Sequence, residues 1–407
     1  MTPIRFSVLL PTKDRRELLI GAIATVQRQT YDHWELVVAD NCSSDDVAAY
    51  VRSLKEPRIV YTRSDVPLPV TANWNRALDA ASGDYVVMLG DDDGLIPGYF
   101  ERCLAALDEV GTPEFLYHGA YHFAFPGVFP QYPDGYLRDV SWFRNVLCHG
   151  SRAILLPREE ARSAAQMALN MTAAYGFNMQ HFLFGRAFLR KMGAHGPVFR
   201  GPFPDFYAAN LAMLLAERIG LVPEPLVIIG ISPKSYGFFH FNNREAEGAS
   251  FLDNEACMDA VPTALRERLL PGSYMNTAWL VSVALIEETL QHRADVRPAV
   301  RRYRTLQINR LLCDALLRQG SGIPMSGAWN RLGLDEKVYA LALSLVLAPL
   351  RMFPHALRRK VAGVIDHLGK QYLPPRRPVR HIAGVRANDI LDVFQILANE
   401  GQTRSRD

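Results

Sequence analysis

The chain has 407 residues, which at roughly 150 residues per domain predicts two or three domains with ample length for a buried core. Its composition is 49% hydrophobic and 21% charged, and 45 basic residues against 42 acidic ones leave a net charge of only +3. These values exclude a disordered or collagen-like chain, and they show no strong positive charge of the kind that a general nucleic-acid binder carries.

The first 120 residues alternate apolar strands with helices. The apolar runs and helical spacings predict, in chain order, a strand at 6–10, a helix at 16–29, a strand at 34–39, a helix at 47–54, a strand at 58–61, a helix at 73–81 and a strand at 84–89. Because each strand is almost wholly apolar, we expect an α/β fold with a parallel sheet that helices cover on both faces.

The remainder of the chain changes character twice. Residues 114–200 mix aromatics, glycines and prolines, and they predict a second sheet with loops. After these, the pattern predicts a helix at 206–220, a strand at 226–231, and then helices at 275–290, 300–317, 336–347, 355–368 and 389–398. We therefore place a domain boundary near residue 250, between an α/β domain at 1–250 and a helical domain at 251–407.

Cysteine content and hydropathy bear on the compartment. Five cysteines lie scattered without a CxxC pair, which argues against a disulfide framework and a thiolate zinc site. No apolar run reaches the ~18 residues of a membrane span, and the apolar segment at the start is too short for a signal peptide. We expect a cytoplasmic protein.

Three polar clusters, at 11–14, 40–45 and 91–93, follow three of the predicted strands. Ligands of parallel sheets bind beyond the carboxyl ends of the strands, so the three clusters predict one site. Neither GxGxxG nor GxxxxGK[ST] follows a strand, which counts against dinucleotide-dependent hydride transfer and against a P-loop.

The cluster at 91–93 consists of three consecutive aspartates. Adjacent carboxylates repel one another unless a cation lies among them, and their oxygens suit Mg²⁺ or Mn²⁺. The alternative is a solvated acidic turn that caps the next element. Because an apolar strand precedes the aspartates and Gly90 permits close approach, the pattern favours a metal and phosphate site.

Six ordered segments resemble glycosyltransferase family 2, the inverting enzymes with a GT-A fold, over roughly residues 4–110. They are VLLPTKD at 8–14, QTY at 29–31, ELVVADNCSSD at 35–45, Asn73 with AASGDY at 80–85, LGDDD at 89–93, and Pro97. The resemblance implies a Rossmann-like, mostly parallel sheet flanked by helices. It makes 1–250 the nucleotide-sugar-binding and catalytic domain and leaves 251–407 for acceptor, membrane-surface or oligomer contacts. It also implies transfer of one sugar from a nucleotide diphosphate sugar, with UDP as first choice, to a hydroxyl of a glycan or lipid-linked acceptor, with inversion, in bacterial surface glycan or polysaccharide synthesis.

The resemblance also assigns site residues. The residues implied to bind the donor are Pro11, Thr12 and Asp14 at the nucleotide pocket, Asp40 and Asn41 at the base, and Asn73, Asp91, Asp92 and Lys234. Those implied to bind Mn²⁺ or Mg²⁺ are Asp91, Asp93 and His240. Gly90 stands where the family's acidic motif usually has its first aspartate, so which of the three aspartates binds metal stays open. Lys234 and His240 have the alternative of being exposed loop residues.

The resemblance places the general base, an Asp or Glu, about a hundred residues after the acidic motif at the start of a helix. Asp205 fits this position, because it follows Pro204 and precedes an apolar helix. The alternative is that Asp205 is only an N-cap residue. Two other functions stay open: a metal-dependent nucleotidyltransferase, and a catalytically silent scaffold homologue that lacks the first aspartate of the motif.

The segment 338–350 is almost uninterruptedly apolar, and basic residues follow it. They are Arg351, His355, Arg358, Arg359, Lys360, Arg376, Arg377, Arg380 and His381. An apolar surface beside basic residues predicts a peripheral contact with an anionic membrane. The alternative is a helix that is buried against its neighbours or against a second copy in a homodimer.

Overall fold

The protein is described from a computed structural model, which covers residues 3–139, 152–172, 175–242, 244–248, 261–291, 295–318, 325–366 and 387–404. The strands are β1 (Phe6–Thr12), β2 (Trp34–Asp40), β3 (Ile59–Arg63), β4 (Tyr85–Met88), β5 (Gly94–Leu95), β6 (Phe115–Ala124), β7 (Tyr136–Asp139), β8 (Ile154–Leu156), β9 (Phe182–Gly185) and β10 (Ile219–Ile231). The helices of the first 250 residues are α1 (Arg16–Gln27), α2 (Val47–Ser53), α3 (Val70–Asp79), α4 (Tyr99–Val110), α5 (Arg158–Leu169), α6 (Arg186–Gly193), α7 (Pro204–Leu215), α8 (Tyr236–Phe241) and α9 (Glu245–Gly248). Those that follow are α10 (Thr263–Arg266), α11 (Tyr274–Thr289), α12 (Val300–Leu316), α13 (Ser326–Trp329), α14 (Leu334–Leu347), α15 (His355–Asp366) and α16 (Ile390–Arg404).

Within the described residues, ten strands form one mixed sheet. Eight of them run in the order β3-β2-β1-β4-β9-β6-β10-β5, while β7 pairs with β6 and β8 pairs with β10. The pairs β1–β2, β1–β4, β2–β3 and β6–β10 are parallel, and the pairs that involve β5, β7, β8 and β9 are antiparallel. The α/β sheet flanked by helices that the sequence predicts is confirmed, and the strands that run in one direction are β1 to β4, β6 and β10.

The prediction of a second sheet within 114–200 is wrong. Strand β9 pairs antiparallel with both β4 and β6, so it joins the two halves into one sheet. Its residues Phe182 and Leu183 are fully buried, because both faces of this central strand are covered. The strand FLFG is a short apolar run without alternating polar residues, so its central place in the sheet could not be deduced from the sequence.

The boundary between α7 and β10 also differs from the prediction. The helix predicted at 206–220 ends at Leu215, because Ala216 takes an extended conformation and β10 begins at Ile219. Strand β10 therefore starts seven residues before the strand predicted at 226–231. Two register shifts lie around Pro225, so a bulge carries the strand past the prolines that interrupt its apolar pattern.

Alternating side chains of the strands face two separate hydrophobic layers. On β1, Leu9 packs in the layer that contains α3, α5, α7 and α11, whereas Val8 and Leu10 pack in the layer that contains α1, α4 and α16. Every residue of β2 is buried. The helices on both faces hold the strands so that their carboxyl ends lie along one edge.

The helices beyond residue 250 do not all pack away from the sheet. Helix α11 lies on α5 and α7, and the Trp279 indole donates a hydrogen bond of 2.8 Å to the carbonyl of Ala168. Helices α12, α14 and α15 share a smaller core of their own. The domain boundary near 250 stays a prediction, because residues 249–260 lie outside the described residues. The predicted basic residues Arg376, Arg377, Arg380 and His381 lie outside them too. No helix among the described residues is both long enough and apolar enough to cross a lipid bilayer.

A buried carboxylate fixes the end of the sheet opposite the polar clusters. Glu35 in β2 is 3% exposed and accepts hydrogen bonds from Ser7 Oγ at 2.6 Å, from Gly83 N at 3.1 Å, from Ser82 and from Arg5. Burial opposes ionisation, but these donors outweigh it and hold the pKa of Glu35 below its ordinary value. One side chain thus joins β1, β2 and the turn before β4.

Glu35→Ala should lower the free energy of unfolding by about 3 kcal/mol at neutral pH, because Ser7 Oγ and the Gly83 N–H would lose a buried charged acceptor. Since the folded-state pKa of Glu35 is depressed, its contribution is present above the unfolded value and is lost as pH falls through the folded value. The difference between wild type and variant should therefore shrink below about pH 4 in urea titrations. The matched control is Glu109→Ala on α4, an exposed site; an equal loss in the control would contradict this role of Glu35.

Candidate active site at the carboxyl ends of the strands

The three polar clusters meet at one edge of the sheet. Thr12 and Asp40 are register partners at the ends of β1 and β2. The Thr12 hydroxyl donates to Asp91 Oδ2 at 2.9 Å, and the Asn41 N–H donates to the Thr12 carbonyl at 2.9 Å. The prediction that these clusters lie together is confirmed by these contacts.

Asp14 joins the loop after β1 to the loop after β2. Its Oδ1 accepts from the N–H and the hydroxyl of Ser44 at 2.6 and 2.7 Å, and its own N–H donates to Ser43 Oγ at 3.0 Å. The hydrogen bonds from Ser44 lower the pKa of Asp14, so this exposed carboxylate stays charged. Its backbone is left-handed (φ 54°), which aspartate tolerates better than most residues. Pro11 precedes this loop within β1.

Asp40 is almost fully buried and uses both carboxylate oxygens within the protein. Oδ1 accepts from the Ser43 N–H at 2.9 Å, and Oδ2 accepts from the Tyr61 hydroxyl at 2.6 Å with Arg63 Nε at 3.5 Å. Burial, followed by the bond to Asp40, raises the pKa of Tyr61 above its ordinary value, so the phenol remains a donor. Asp40 therefore fixes the loop that begins at Asn41.

Asn41 pairs its amide with a peptide group of the loop before α3. Its Nδ2 donates to the Leu68 carbonyl at 2.8 Å, and its Oδ1 accepts from the Leu68 N–H at 2.7 Å. An aspartate at this position would leave the Leu68 carbonyl without its donor, because a carboxylate only accepts. This geometry explains why an amide stands here.

Asn73 ties α3 to the end of β2. Its Nδ2 donates to the Ala39 carbonyl at 3.0 Å, and its Oδ1 accepts from Arg76 at 2.6 Å. The same Arg76 nitrogen donates to the Asp40 carbonyl at 2.8 Å. Asn73 is buried and closes the floor of the site from within the protein.

Asp91 is buried between Thr12 and Arg15. Arg15 Nη1 donates to Asp91 Oδ1 at 3.0 Å. Burial raises the pKa of Asp91 to about 6, although the Arg15 charge opposes this rise. A cation beside Asp91 would favour its ionised form.

Asp93 is held by three donors and is the most constrained of the three aspartates. Its Oδ1 accepts from the Gly230 N–H at 2.8 Å, and its Oδ2 accepts from the Gly90 N–H at 2.6 Å and from Gln180 Nε2. Burial and the neighbouring Asp92 raise the pKa of Asp93 well above its ordinary value. A Cβ atom on Gly90 would lie 2.7 Å from Asp93 Oδ2, so a side chain where the family motif usually has an aspartate would displace this carboxylate.

Asp92 keeps one oxygen for a ligand. Its Oδ2 accepts from the Ser232 hydroxyl at 2.7 Å, whereas no hydrogen bond of the described part of the chain is made by Oδ1. The side chain is 6% exposed. Of the six carboxylate oxygens of Asp91, Asp92 and Asp93, this is the one that accepts no hydrogen bond from the residues that the structure describes.

The structure does not bring His240 to the aspartates as a metal ligand. Its Nδ1 lies 2.9 Å from Glu245 Oε1, and Ser273 Oγ donates to the other oxygen of Glu245 at 2.9 Å. Burial opposes ionisation of Glu245, but His240 and Arg310 lower its pKa to about 2. Across the described ranges, no three His, Cys, Asp or Glu side chains converge so that they could hold a metal ion. A site made from Asp91, Asp93 and His240 therefore stays a prediction without a convergent geometry.

Lys234 lies at the mouth of the site beside Asp14. Its Nζ is 3.2 Å from the Asp14 carbonyl and 2.5 Å from Glu17 Oε1, and its own carbonyl accepts from Arg15. The side chain is about half exposed, so it can exchange these contacts for a ligand. The segment after β10 is thus close to the loop after β1.

Asp205 is not an N-cap residue, so that alternative is wrong. Helix α7 begins at Pro204 with Phe203 as its N-cap, and no side chain caps it. The Asp205 carboxylate instead reaches out of the helix and accepts from the Met179 N–H at 3.0 Å. Burial raises the pKa of Asp205 to about 7.

A turn that the sequence analysis missed connects Asp205 to the acidic cluster. The 3₁₀ turn Met179–His181 supplies the Met179 N–H to Asp205 and the Gln180 amide to Asp93. No pattern in 114–200 marks Gln180. Arg15, also missed, could have been found, because it is a polar residue directly after the cluster at 11–14.

Part of the chain is similar in sequence to known glycosyltransferases. Residues 7–127 match the model of the family described as Glycosyl transferase family 2. The Escherichia coli K12 protein WcaA, provisionally named a colanic acid biosynthesis glycosyl transferase, is 34% identical over 149 residues, which are 35% of this chain and 53% of the relative. A Campylobacter jejuni GalNAc(5)-diNAcBac-PP-undecaprenol beta-1,3-glucosyltransferase is 35% identical over 108 residues, which are 26% of this chain and 35% of the relative.

The chain thus spans about half the length of the first of these relatives and about a third of the second. A crystal structure of S. aureus TarS 1-349 in complex with UDP-GlcNAc aligns with 98% of this chain and 92% of its own at 13% identity, with a TM-score of 0.48. Residues 7–127 thus resemble glycosyltransferase family 2, and the mixed GT-A-like sheet that they help to form carries the site.

Proposed function

We propose that the protein transfers one sugar from a UDP-linked donor to a hydroxyl acceptor with inversion, in the synthesis of a bacterial surface glycan or polysaccharide. The observation that carries the proposal is the meeting of three polar clusters of a family 2 domain at one sheet edge, with Asp205 linked to them through Met179–His181. The names of relatives support a surface polysaccharide product, and one of them specifies a lipid diphosphate acceptor. We propose a glycan or lipid-linked acceptor here too, and work at the cytoplasmic face of a membrane.

In this proposal the nucleotide lies between the loops after β1 and β2. Pro11, Thr12 and Asp14 border it, and Asp40 and Asn41 position the loops that receive the base. Asn73 supports this floor from α3. Lys234 is placed to exchange its contact with Glu17 for the donor diphosphate, a charge-assisted contact.

We propose that Mg²⁺ or Mn²⁺ binds at the acidic turn. Carboxylate oxygens are suitable ligands for both ions, Asp92 Oδ1 has no protein partner among the described hydrogen bonds, and Asp91 lies next to it in sequence. Burial raises the pKa of Asp91 and Asp93, so a bound cation would lower the cost of ionising these buried carboxyls. The ion would neutralise negative charge on the leaving diphosphate.

Asp205 is the proposed general base. Inverting transfer needs a group that accepts the proton of the acceptor hydroxyl as its oxygen attacks the anomeric carbon, and a base with a pKa near the working pH does this best. The pKa of about 7 fits that task. The Met179 N–H on Oδ1 leaves Oδ2 for the acceptor.

The surroundings of Gly90 bear on the alternative hypothesis of a catalytically silent scaffold homologue. The sequence feature that favours this hypothesis is the absence of the first aspartate of the motif. A side chain at residue 90 would collide with the Asp93 carboxylate, which three donors hold in place. The glycine therefore fits the position of the Asp93 carboxylate, and its presence alone does not favour loss of activity.

Asp205→Asn should reduce kcat by about 10²- to 10⁴-fold while UDP binding stays unchanged, because the amide keeps the bond from Met179 but cannot take a proton. In the wild type, kcat/KM should rise as pH increases through about 7, since the raised pKa must be exceeded before Asp205 is ionised. Sugar transfer and UDP calorimetry from pH 5.5 to 8.5 measure both. Asp108→Asn, at an exposed site on α4, is the control. Transfer that survives in Asp205→Asn would show that Asp205 is not the base.

Asp92→Asn should abolish the additional thermal stabilisation that Mn²⁺ gives in the presence of UDP, because the amide removes the charge of the oxygen proposed to bind the ion. Differential scanning fluorimetry with UDP, with and without Mn²⁺, measures this. His240→Ala should leave the Mn²⁺ effect intact if His240 serves only Glu245. If the stabilisation by Mn²⁺ disappeared in His240→Ala, His240 would again be a candidate ligand. If this stabilisation persisted in Asp92→Asn, the metal assignment of Asp92 would be wrong.

A further inference from the structure

Helix α14 and the residues after it expose a large apolar surface. Of the large hydrophobic side chains that are exposed in the described chain, most fall between residues 334 and 364. Within 334–364, the most exposed are Met352, Leu334, Leu345, Val346, Val364, Val338 and Leu341. The surfaces of soluble proteins rarely contain so many adjacent apolar residues, so this patch indicates an interaction site.

The opposite face of α14 is already docked on the protein. Ala340 and Leu347 are each 1% exposed and pack in the core shared with α12. The Tyr339 hydroxyl donates to Asn309 Oδ1 at 2.7 Å, and Glu336 accepts from Arg304 at 2.6 Å. The helix therefore presents one apolar face to its own core and a second one to solvent.

The exposed positions on α14 form a stripe. Leu334, Val338, Leu341 and Leu345 follow one another at intervals of four, three and four residues, which places them on one side of a helix. On α15, Leu357 and Val364 repeat at seven residues and are exposed too. The connecting 3₁₀ turn Ala348–Met352 adds the exposed Met352.

The charges on this surface are mostly basic. The segment from Leu334 to Asp366 contains five Lys or Arg residues and three Asp or Glu, and one of these three, Glu336, is paired with Arg304 of α12. Arg351, Arg359 and Lys360 are exposed. An isologous contact with a second copy would place two such basic surfaces against each other, whereas an anionic surface would be complementary to them.

We propose that the surface formed by α14, the turn Ala348–Met352 and α15 docks on an anionic phospholipid bilayer, with the leucine stripe at the boundary of the acyl chains and the basic residues at the headgroups. Apolar insertion together with cation attraction is the combination that holds amphipathic helices in a membrane interface. The inference rests on the proposed peripheral location, but its test needs no sugar transfer.

The test is flotation of the full chain with vesicles of phosphatidylcholine alone and of phosphatidylcholine with about one third phosphatidylglycerol. The wild type should float with the anionic vesicles, and high salt should weaken binding because it screens the charges. Arg351→Gln/Arg359→Gln/Lys360→Gln should bind at least about tenfold more weakly. Leu341→Glu/Leu345→Glu should lose binding altogether.

Leu155→Glu, at an exposed apolar residue of β8, is the matched control and should bind like the wild type. Sedimentation velocity of the wild type and of the double glutamate variant should give the same monomer. Equal flotation with neutral and anionic vesicles would overturn the proposal, and so would no flotation or a dimer that the glutamates dissociate. The assay contains neither donor nor acceptor, so a failure here would leave the proposed transfer standing, and an inactive Asp205→Asn should still float.

Discussion

Three consecutive aspartates can lie buried at the end of β4 because donors from distant parts of the chain reach them. Thr12 and Arg15 hold Asp91, Ser232 holds Asp92, and the Gly230 backbone with Gln180 holds Asp93. A buried carboxyl without such donors would cost several kcal/mol, and adjacent charges would add to that cost. The acidic turn therefore fixes where β1, β10 and the turn Met179–His181 end up relative to one another, and the remainder of the site depends on that arrangement.

The same residue type takes different protonation states in this small region, and environment alone separates them. Asp14 is exposed and receives two bonds from Ser44, so its pKa is lowered. Asp205 is desolvated and receives one backbone bond, so its pKa rises to about 7. Asp14 therefore stays negatively charged at the mouth of the site, whereas Asp205 can gain or lose a proton. In the proposed sugar transfer, a general base needs the second of these properties.

The sequence predicts the parallel part of the sheet because local patterns suffice there. Strands β1, β2 and β4 are apolar runs that end in polar residues, so the meeting of Thr12, Asp40 and Asp91 follows from strand order alone. The position of β9 and the contact of Gln180 with Asp93 depend on pairing between strands far apart in the chain, and no local spacing encodes that pairing. The Asn41 amide is an intermediate case: its departure from the family pattern is visible in the sequence, but its reason is visible only once Leu68 lies opposite.

Composition averages conceal how charge is distributed in this chain. The net charge of +3 excludes a general polyanion binder, yet it is compatible with acidic side chains gathered at the sheet edge and cationic ones gathered between Lys337 and Ile365. The acidic group lies in the sheet edge that would receive a diphosphate with its cation, where buried carboxylates are useful. The cationic group lies beside exposed leucines on α14. This helix packs on α12 through its opposite face, so the leucines remain exposed. Keeping the two groups on different elements prevents the basic residues from neutralising the acidic turn, so each group remains available for a partner of opposite charge.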